Sequence, residues 1–225
     1  MRKLAAEAIG TFALVFAGTG AITINEVSDG AVTHVGIALT FALVVLAMIY
    51  AVGNVSGAHL NPAVTLGFYV ARRLEARWVL PYVASQCAGA LFGSALLRLL
   101  FPTSATLGTT SPAGSALQSF GLEFVLTFFL MFVILCVSTG PKERGVTAGI
   151  AVGAVIALEA LFAGPISGAS MNPARSLAPA IVTMRLDHLW VYLSAPTAGA
   201  LVAIVGCRCV QGTECCGDVA KEASA

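Results

Sequence analysis

The sequence predicts an all-α membrane protein, with six transmembrane helices plus two re-entrant half-helices in an inverted repeat. Three observations lead there. The first is composition: of 225 residues, 58% are hydrophobic and 10% charged, against about 25% charged in a soluble domain, and mean hydropathy is +0.90. The second is six apolar stretches, at roughly 4–24, 33–53, 79–100, 117–138, 146–164 and 188–207, each near the ~20 residues a bilayer-crossing helix needs. The third is one phrase written twice, Ser56-Gly57-Ala58-His59-Leu60-Asn61-Pro62-Ala63 and Ser167-Gly168-Ala169-Ser170-Met171-Asn172-Pro173-Ala174. A net charge of +1 carries no electrostatic footprint for nucleic acid.

The first span begins at residue 4, runs beyond signal-peptide length and has no clear cleavage site, so it is expected to be retained. Orientation follows the basic residues. Arg2 and Lys3 precede span one, Arg72, Arg73 and Arg77 lie between spans two and three, Lys142 and Arg144 between four and five, and Arg208 and Lys221 after six. Segments 25–33 and 101–116 contain neither Lys nor Arg; Arg175 and Arg185 are the exceptions to the pattern. Both termini are therefore expected in the cytoplasm, with loops 101–116 and 165–187 facing outward.

The repeat extends beyond Asn-Pro. Glu7-Ala8-Ile9-Gly10-Thr11-Phe12 at the start of span one matches Glu123-Phe124-Val125-Leu126-Thr127-Phe128 in span four, with Glu, Thr and Phe in register. Each half holds three spans, an odd number, so the halves are inverted and their functional site is expected at the midplane. Gly10, Gly18, Gly36, Gly89, Gly93, Gly149, Gly153 and Gly199 lie in spans and are expected to allow close helix contact.

Asn is a preferred N-cap and Pro suits the first helical position. Asn61-Pro62 and Asn172-Pro173 thus start helices over about 62–71 and 173–183, too short to span, which dip in from opposite faces. Loops 54–60 and 165–171 lead into them. Each Asn oxygen is expected to accept from its own helix, leaving its NH2 to donate into a pathway. Two helix N-termini at the centre add positive potential, which repels cations and protons and accepts neutral hydroxylated molecules.

The two motifs, with Glu7 and Glu123 and with Arg175 three residues after Asn172, resemble the major intrinsic protein (aquaporin) family over about 1–206. The resemblance implies an aquaporin-like right-handed bundle in which 1–206 is a single channel domain, repeat one about 1–100 and repeat two about 117–206. It implies a homotetramer in the lipid bilayer of the cell membrane with one pore per subunit, no cofactor, and a cytoplasmic tail at 207–225. It places the pore motifs at Asn61, Pro62, Ala63, Asn172, Pro173 and Ala174, and a selectivity filter at Phe41, Ala160, Ala169 and Arg175. Glu7, Glu123 and His59 are expected to support the re-entrant loops. Water-selective members carry His at the position of Ala160; here two alanines widen the ring. The stretch Leu161–Asn172 is similar to the nodulin-26-like branch, which implies glycerol, urea and neutral metalloid hydroxides such as arsenite as solutes, with water a lesser one.

Cys207, Cys209, Cys215 and Cys216 crowd the tail. In a reducing cytoplasm disulfides are not expected, and clustered thiolates suit soft ions or trivalent arsenic. The tail resembles that of bacterial aquaglyceroporins encoded beside arsenic-resistance genes. The spacing lacks the paired C-x2-C of a zinc site, so an incidental role stands beside a binding one, and any metal is unassigned. Cys87 and Cys136 read as small packing residues, Arg98 as a snorkelling side chain, and His34 and His188 as interface residues. Glu159 has two places open to it, solvent near the mouth or support of loop 165–171. A water-selective channel and, from another class, a coupled secondary transporter are the alternatives; the sequence has no Asp/Glu pair near the centre for the latter. No H-E-x-x-H or nucleophile–base pair points to an enzyme.

Overall fold

A computed structural model describes residues 1–138 and 142–217, with only the backbone of 142–146 and 213–214. Lys221 and the rest of the tail beyond residue 217 lie outside the described residues. Among the described residues eight helices run in chain order: α1 Arg2–Val27, α2 Thr33–Ser56, α3 Pro62–Val70, α4 Ala76–Leu100, α5 Ala116–Val137, α6 Lys142–Ser167, α7 Pro173–Thr183 and α8 Leu189–Gln211, then a 3-10 turn, Gly212–Cys215. Six are long and apolar enough to cross a membrane, and no strand occurs among the described residues. The chain is a multi-pass membrane protein.

Two helices outrun their apolar spans. α2 and α6 continue through Ser56 and Ser167 and stop where Gly57 and Gly168 turn left-handed, both at φ 88°. Glycine takes that conformation without a Cβ penalty. The re-entrant loops are thus shorter than expected, spanning only Gly57 to Asn61 and Gly168 to Asn172.

Packing repeats with the sequence. α1 packs on α2 and α4 as α5 packs on α6 and α8; α2 against α6 joins the halves, and each half-helix leans on the last long helix of the other half, α3 on α8 and α7 on α4. At equivalent crossings a Cβ on Gly89 would collide with the Ala8 carbonyl oxygen, and one on Gly199 with that of Phe124. Glycine is what lets these backbones approach. Gly36 differs from the expectation, since its nearest neighbours are Val32 and Thr33, at the start of its own helix and not on another. Exposed Leu80, Phe92, Leu99, Leu117, Ile150, Leu158 and Val205 give the outer surface the apolar character a bilayer requires.

Candidate functional site: a central pathway between the half-helices

Asn61 and Asn172 cap α3 and α7. Asn61 Oδ1 accepts from Ala63 N at 2.9 Å, and Asn172 Oδ1 from Ala174 N at 3.0 Å and Arg175 N at 3.3 Å. Their amides then cross the pseudo-twofold axis: Asn61 Nδ2 donates to Met171 O at 2.7 Å and Asn172 Nδ2 to Leu60 O at 2.8 Å. Only one N–H of each amide therefore remains for the lumen, not the two that sequence reasoning allowed. Pro62, Ala63, Pro173 and Ala174 are buried in the first turns.

The loops are strained. Ala58, Leu60, Ala169 and Met171 have φ of 46°, 51°, 42° and 54°, where a non-glycine residue costs about 1–3 kcal/mol. Two buried carboxylates hold them. Glu7 accepts from His59 N at 2.9 Å, Leu60 N at 2.7 Å and Gln86 Nε2 at 2.8 Å. Glu123 accepts from Ser170 N and Met171 N, both at 2.8 Å, and from Ser167 Oγ at 2.8 Å. The His59 ring is half-buried, stacked on Phe68 at 4.5 Å, with Nδ1 3.1 Å from Thr65 Oγ1.

Sequence reasoning missed a second layer of the same support. Tyr82 donates to Ser56 O at 2.8 Å and Tyr192 to Ser167 O at 2.7 Å, pinning the last carbonyls of α2 and α6. Gln86 links Glu7 to Thr65 Oγ1 at 2.9 Å. The signal was present in the repeat itself, since Tyr82 follows Asn61 by 21 residues and Tyr192 follows Asn172 by 20.

Two cavities line the axis, of about 120 and about 280 Å³. One reaches from the Asn pair to Val137 and Ser138; the other opens past His34, Gly108 and Thr109. The residues common to both linings are Phe41, Ala160, Ala169 and Arg175. These four expected ring residues thus meet at the junction. Arg175 is 2% exposed; its guanidinium donates to Gly108 O at 2.7 Å and lies 5.2 Å from the Phe41 ring centroid. Its Nε has no acceptor among the described residues.

The Arg175 acceptor comes from the connection after α4, whose role the sequence did not signal. Glu26 folds that segment by accepting from Ser104 Oγ at 2.9 Å, Ala105 N at 3.0 Å and Thr106 Oγ1 at 2.8 Å. Arg98, in the last turn of α4, reaches past the helix end and donates to Ser104 O at 2.8 Å within the same segment. His34 Nε2 lies 2.7 Å from Leu161 O, tying α2 to α6 beside the second of these cavities.

Glu159 takes neither place left open to it. It is 1% exposed, and neither carboxyl oxygen has a hydrogen-bond partner among the described residues. The tail also departs from expectation. α8 runs past Cys207 and Cys209, and Cys215 folds back on the 3-10 turn to form a disulfide with Cys207. Cys209 is exposed and Cys216 half-buried against the same apolar cluster, and among the described residues the four do not form a ligating group. The physical reason is that the turn at Gly212, φ 67°, reverses the chain and packs Cys215 onto α8.

The family model described as Major intrinsic protein matches residues 1–205. Aquaporin NIP1-1 of Oryza sativa subsp. japonica is 50% identical over 202 residues, covering 89% of this chain and 71% of the relative. Nodulin-26 of Glycine max is 45% identical over 202 residues, covering 89% and 74%. Among solved structures, the aquaglyceroporin from Plasmodium falciparum superposes with a TM-score of 0.81 at 27% identity, covering 90% of this chain and 93% of that one.

Proposed function

The chain belongs to the major intrinsic protein family, and from that premise we propose that it is a passive channel for small uncharged solutes, chiefly glycerol, urea and metalloid hydroxides such as arsenite. Water is a lesser cargo, and ions and protons are excluded. The observation that carries this reading is the ring where the two cavities meet. Two of its four side chains, Ala160 and Ala169, are single methyl groups. A solute there slides its carbon face along Phe41 while its hydroxyls accept from the guanidinium of Arg175, which has five N–H donors and one resolved hydrogen-bond acceptor, Gly108 O. At the centre, the remaining N–H of Asn61 and of Asn172 takes the next hydroxyl oxygen. Cations meet Arg175 and then two helix N-termini, each worth about half a positive charge. The printed name of the Plasmodium structure, an aquaglyceroporin, agrees with this class of solute.

The same reading places the protein in the plasma membrane as a homotetramer, with both termini cytoplasmic and residues 1–206 as one channel domain. Liposomes carrying the purified chain test the solute class. Arsenite and glycerol entry are followed against empty liposomes, and stopped-flow water permeability is taken from the same preparation. Fast entry of both solutes supports the reading; fast water alone overturns the solute class. Flux that saturates and follows a proton gradient would make the chain a coupled transporter.

A further inference from the structure

Away from the pore, sulfur gathers where α5, α8 and the 3-10 turn meet. Cys136, in the last turn of α5, places Sγ 3.9 Å from Sγ of Cys207 on α8. Cys207 is bonded to Cys215, and both are fully buried. They sit in an apolar cluster with Met131, Leu135 and Ile204, against which Cys136 packs. Cys136 directly precedes Val137 and Ser138, which line the inner cavity. The sulfur cluster therefore lies behind the α5 wall of that cavity, on the side that faces α8.

We propose that the reduced form of this corner is a three-sulfur site for a trivalent, thiophilic metalloid, with Cys136, Cys207 and Cys215 as its ligands. With Cys207 and Cys215 paired, no group of three His, Cys, Asp or Glu side chains is poised to hold a metal among the described residues. Opening the disulfide changes that, because it releases two buried thiols next to a third. Ligands about 2.3 Å from a shared centre, the usual Zn–S length, stand about 3.7 Å apart at tetrahedral angles. The Cys136–Cys207 separation of 3.9 Å already fits, and Cys215 rides on the single short turn Gly212–Cys215, so a shift of that turn alone would bring the third sulfur to the same spacing.

The count of ligands is consistent with the guest. Zinc in a closed site takes four ligands, and the other cysteine packed against this cluster, Cys216, has its sulfur engaged elsewhere. Cys209 is exposed, and Cys216 Sγ accepts from Arg208 Nε at 3.1 Å. A trivalent arsenic or antimony centre needs three sulfurs, its lone pair filling the fourth position, and soft thiolates favour it. The choice of a metalloid rests on the solute class proposed above; the sulfur geometry does not.

Both steps balance. Two small monothiols reduce the disulfide by exchange: each contributes one electron and one proton to Cys207 and Cys215, and they leave joined to each other. Arsenite, as the neutral trihydroxide, then condenses with three thiols. Three As–O bonds break and three As–S bonds form, and each hydroxide leaves with a thiol proton as water. The arsenic oxidation state is unchanged. The disulfide thus acts as a lock, since in the closed form Cys136 is the only one of the three thiols left.

The test is arsenite binding to the full-length purified chain in detergent, oxidised or reduced with a phosphine that is then removed. Arsenic per chain is read by equilibrium dialysis with elemental analysis, and As–S bonds by ultraviolet absorption. The expected result is one arsenic on the reduced chain and none on the oxidised one. Cys136→Ser, which leaves the Cys207–Cys215 pair intact for folding, should weaken binding by about an order of magnitude or more, while Cys209→Ser should not change it. No binding to the reduced chain, loss of binding in Cys209→Ser, or displacement of arsenite by equimolar zinc would each overturn the site. Binding is read without flux, so a chain that binds arsenite but does not pass it refutes the proposed cargo alone, and one that passes it without binding refutes this site alone.

Discussion

Replacing Glu123 by Gln isolates what the buried carboxylate does for the second re-entrant loop, Gly168 to Asn172. Glu123 receives three donors: Ser167 Oγ and Ser170 N at Oε1, and Met171 N at Oε2. A glutamine fits the same space but offers one acceptor oxygen and one NH2. If the NH2 takes the Oε2 position, it faces the Met171 N–H; if it takes the Oε1 position, it faces the Ser170 N–H, while the Ser167 hydroxyl can rotate and accept. Either way one buried backbone donor is orphaned. A hydrogen bond to a charged group is worth about 1.5–3 kcal/mol, and an orphaned buried donor costs about 1–3 kcal/mol. Relief of the carboxylate's own desolvation offsets part of this, leaving a net loss of roughly 2–4 kcal/mol. Loop residues held at positive φ then lose their restraint, and the Met171 carbonyl that positions Asn61 moves with them. Denaturant unfolding of the detergent-solubilised variant, together with glycerol entry into liposomes, measures both consequences. Glu7→Gln should behave alike, because either placement of its amide also orphans one backbone N–H, of His59 or of Leu60. Wild-type stability and flux in both variants would refute the claim that the carboxylates hold the loops.

Arg175→Ala removes a unit charge at the ring, worth of order 4 kcal/mol to another charge about 4 Å away at an effective dielectric of 20. Proton or cation leak into liposomes under an imposed gradient should rise by orders of magnitude, and an unchanged leak would mean another group sets the barrier. Gly89→Ala and Gly199→Ala each drive a methyl into a backbone carbonyl that cannot move aside, at a cost of about 1–3 kcal/mol or more. Gly121→Ala, which meets nothing within 4 Å, should leave thermal unfolding unchanged or raise it slightly; equal behaviour of all three would contradict the close crossings. Tyr82→Phe removes one buried hydrogen bond to Ser56 O and should cost about 0.5–1.5 kcal/mol in the same unfolding measurement.

The helices were legible because membrane solvent makes hydropathy a direct record of the spans, and because Asn-Pro writes a helix start in two letters. Their ends were less so. Gly53 and Asn54 interrupt the apolar run, yet backbone hydrogen bonding carries α2 on to Ser56, since the left-handed Gly57 and not polarity stops it. Phe41, Ala160, Ala169 and Arg175 were located only through the resemblance to the family, which supplied their offsets from the two Asn residues. Their partners were not: the Gly108 carbonyl that steadies Arg175 lies 67 residues away in sequence, and a backbone acceptor has no side-chain signature. The disulfide was misjudged for a related reason. The expectation rested on a reducing compartment, and the sequence carries no sign that α8 continues to Gln211 and that the turn after it returns Cys215 to Cys207.

The central claim is that missing bulk at Ala160 lets polyols through, and the most direct measurement is the ratio of glycerol to water permeability in liposomes carrying wild-type chain or Ala160→His. An imidazole at that position enters a ring that Phe41 and Arg175 already wall. Crowding a carbon-bearing solute there should cost about 1–3 kcal/mol, roughly a ten- to hundredfold fall in glycerol permeability, while water falls far less. A ratio that collapses in the variant is the expected result; a ratio equal in the two proteins would contradict the account.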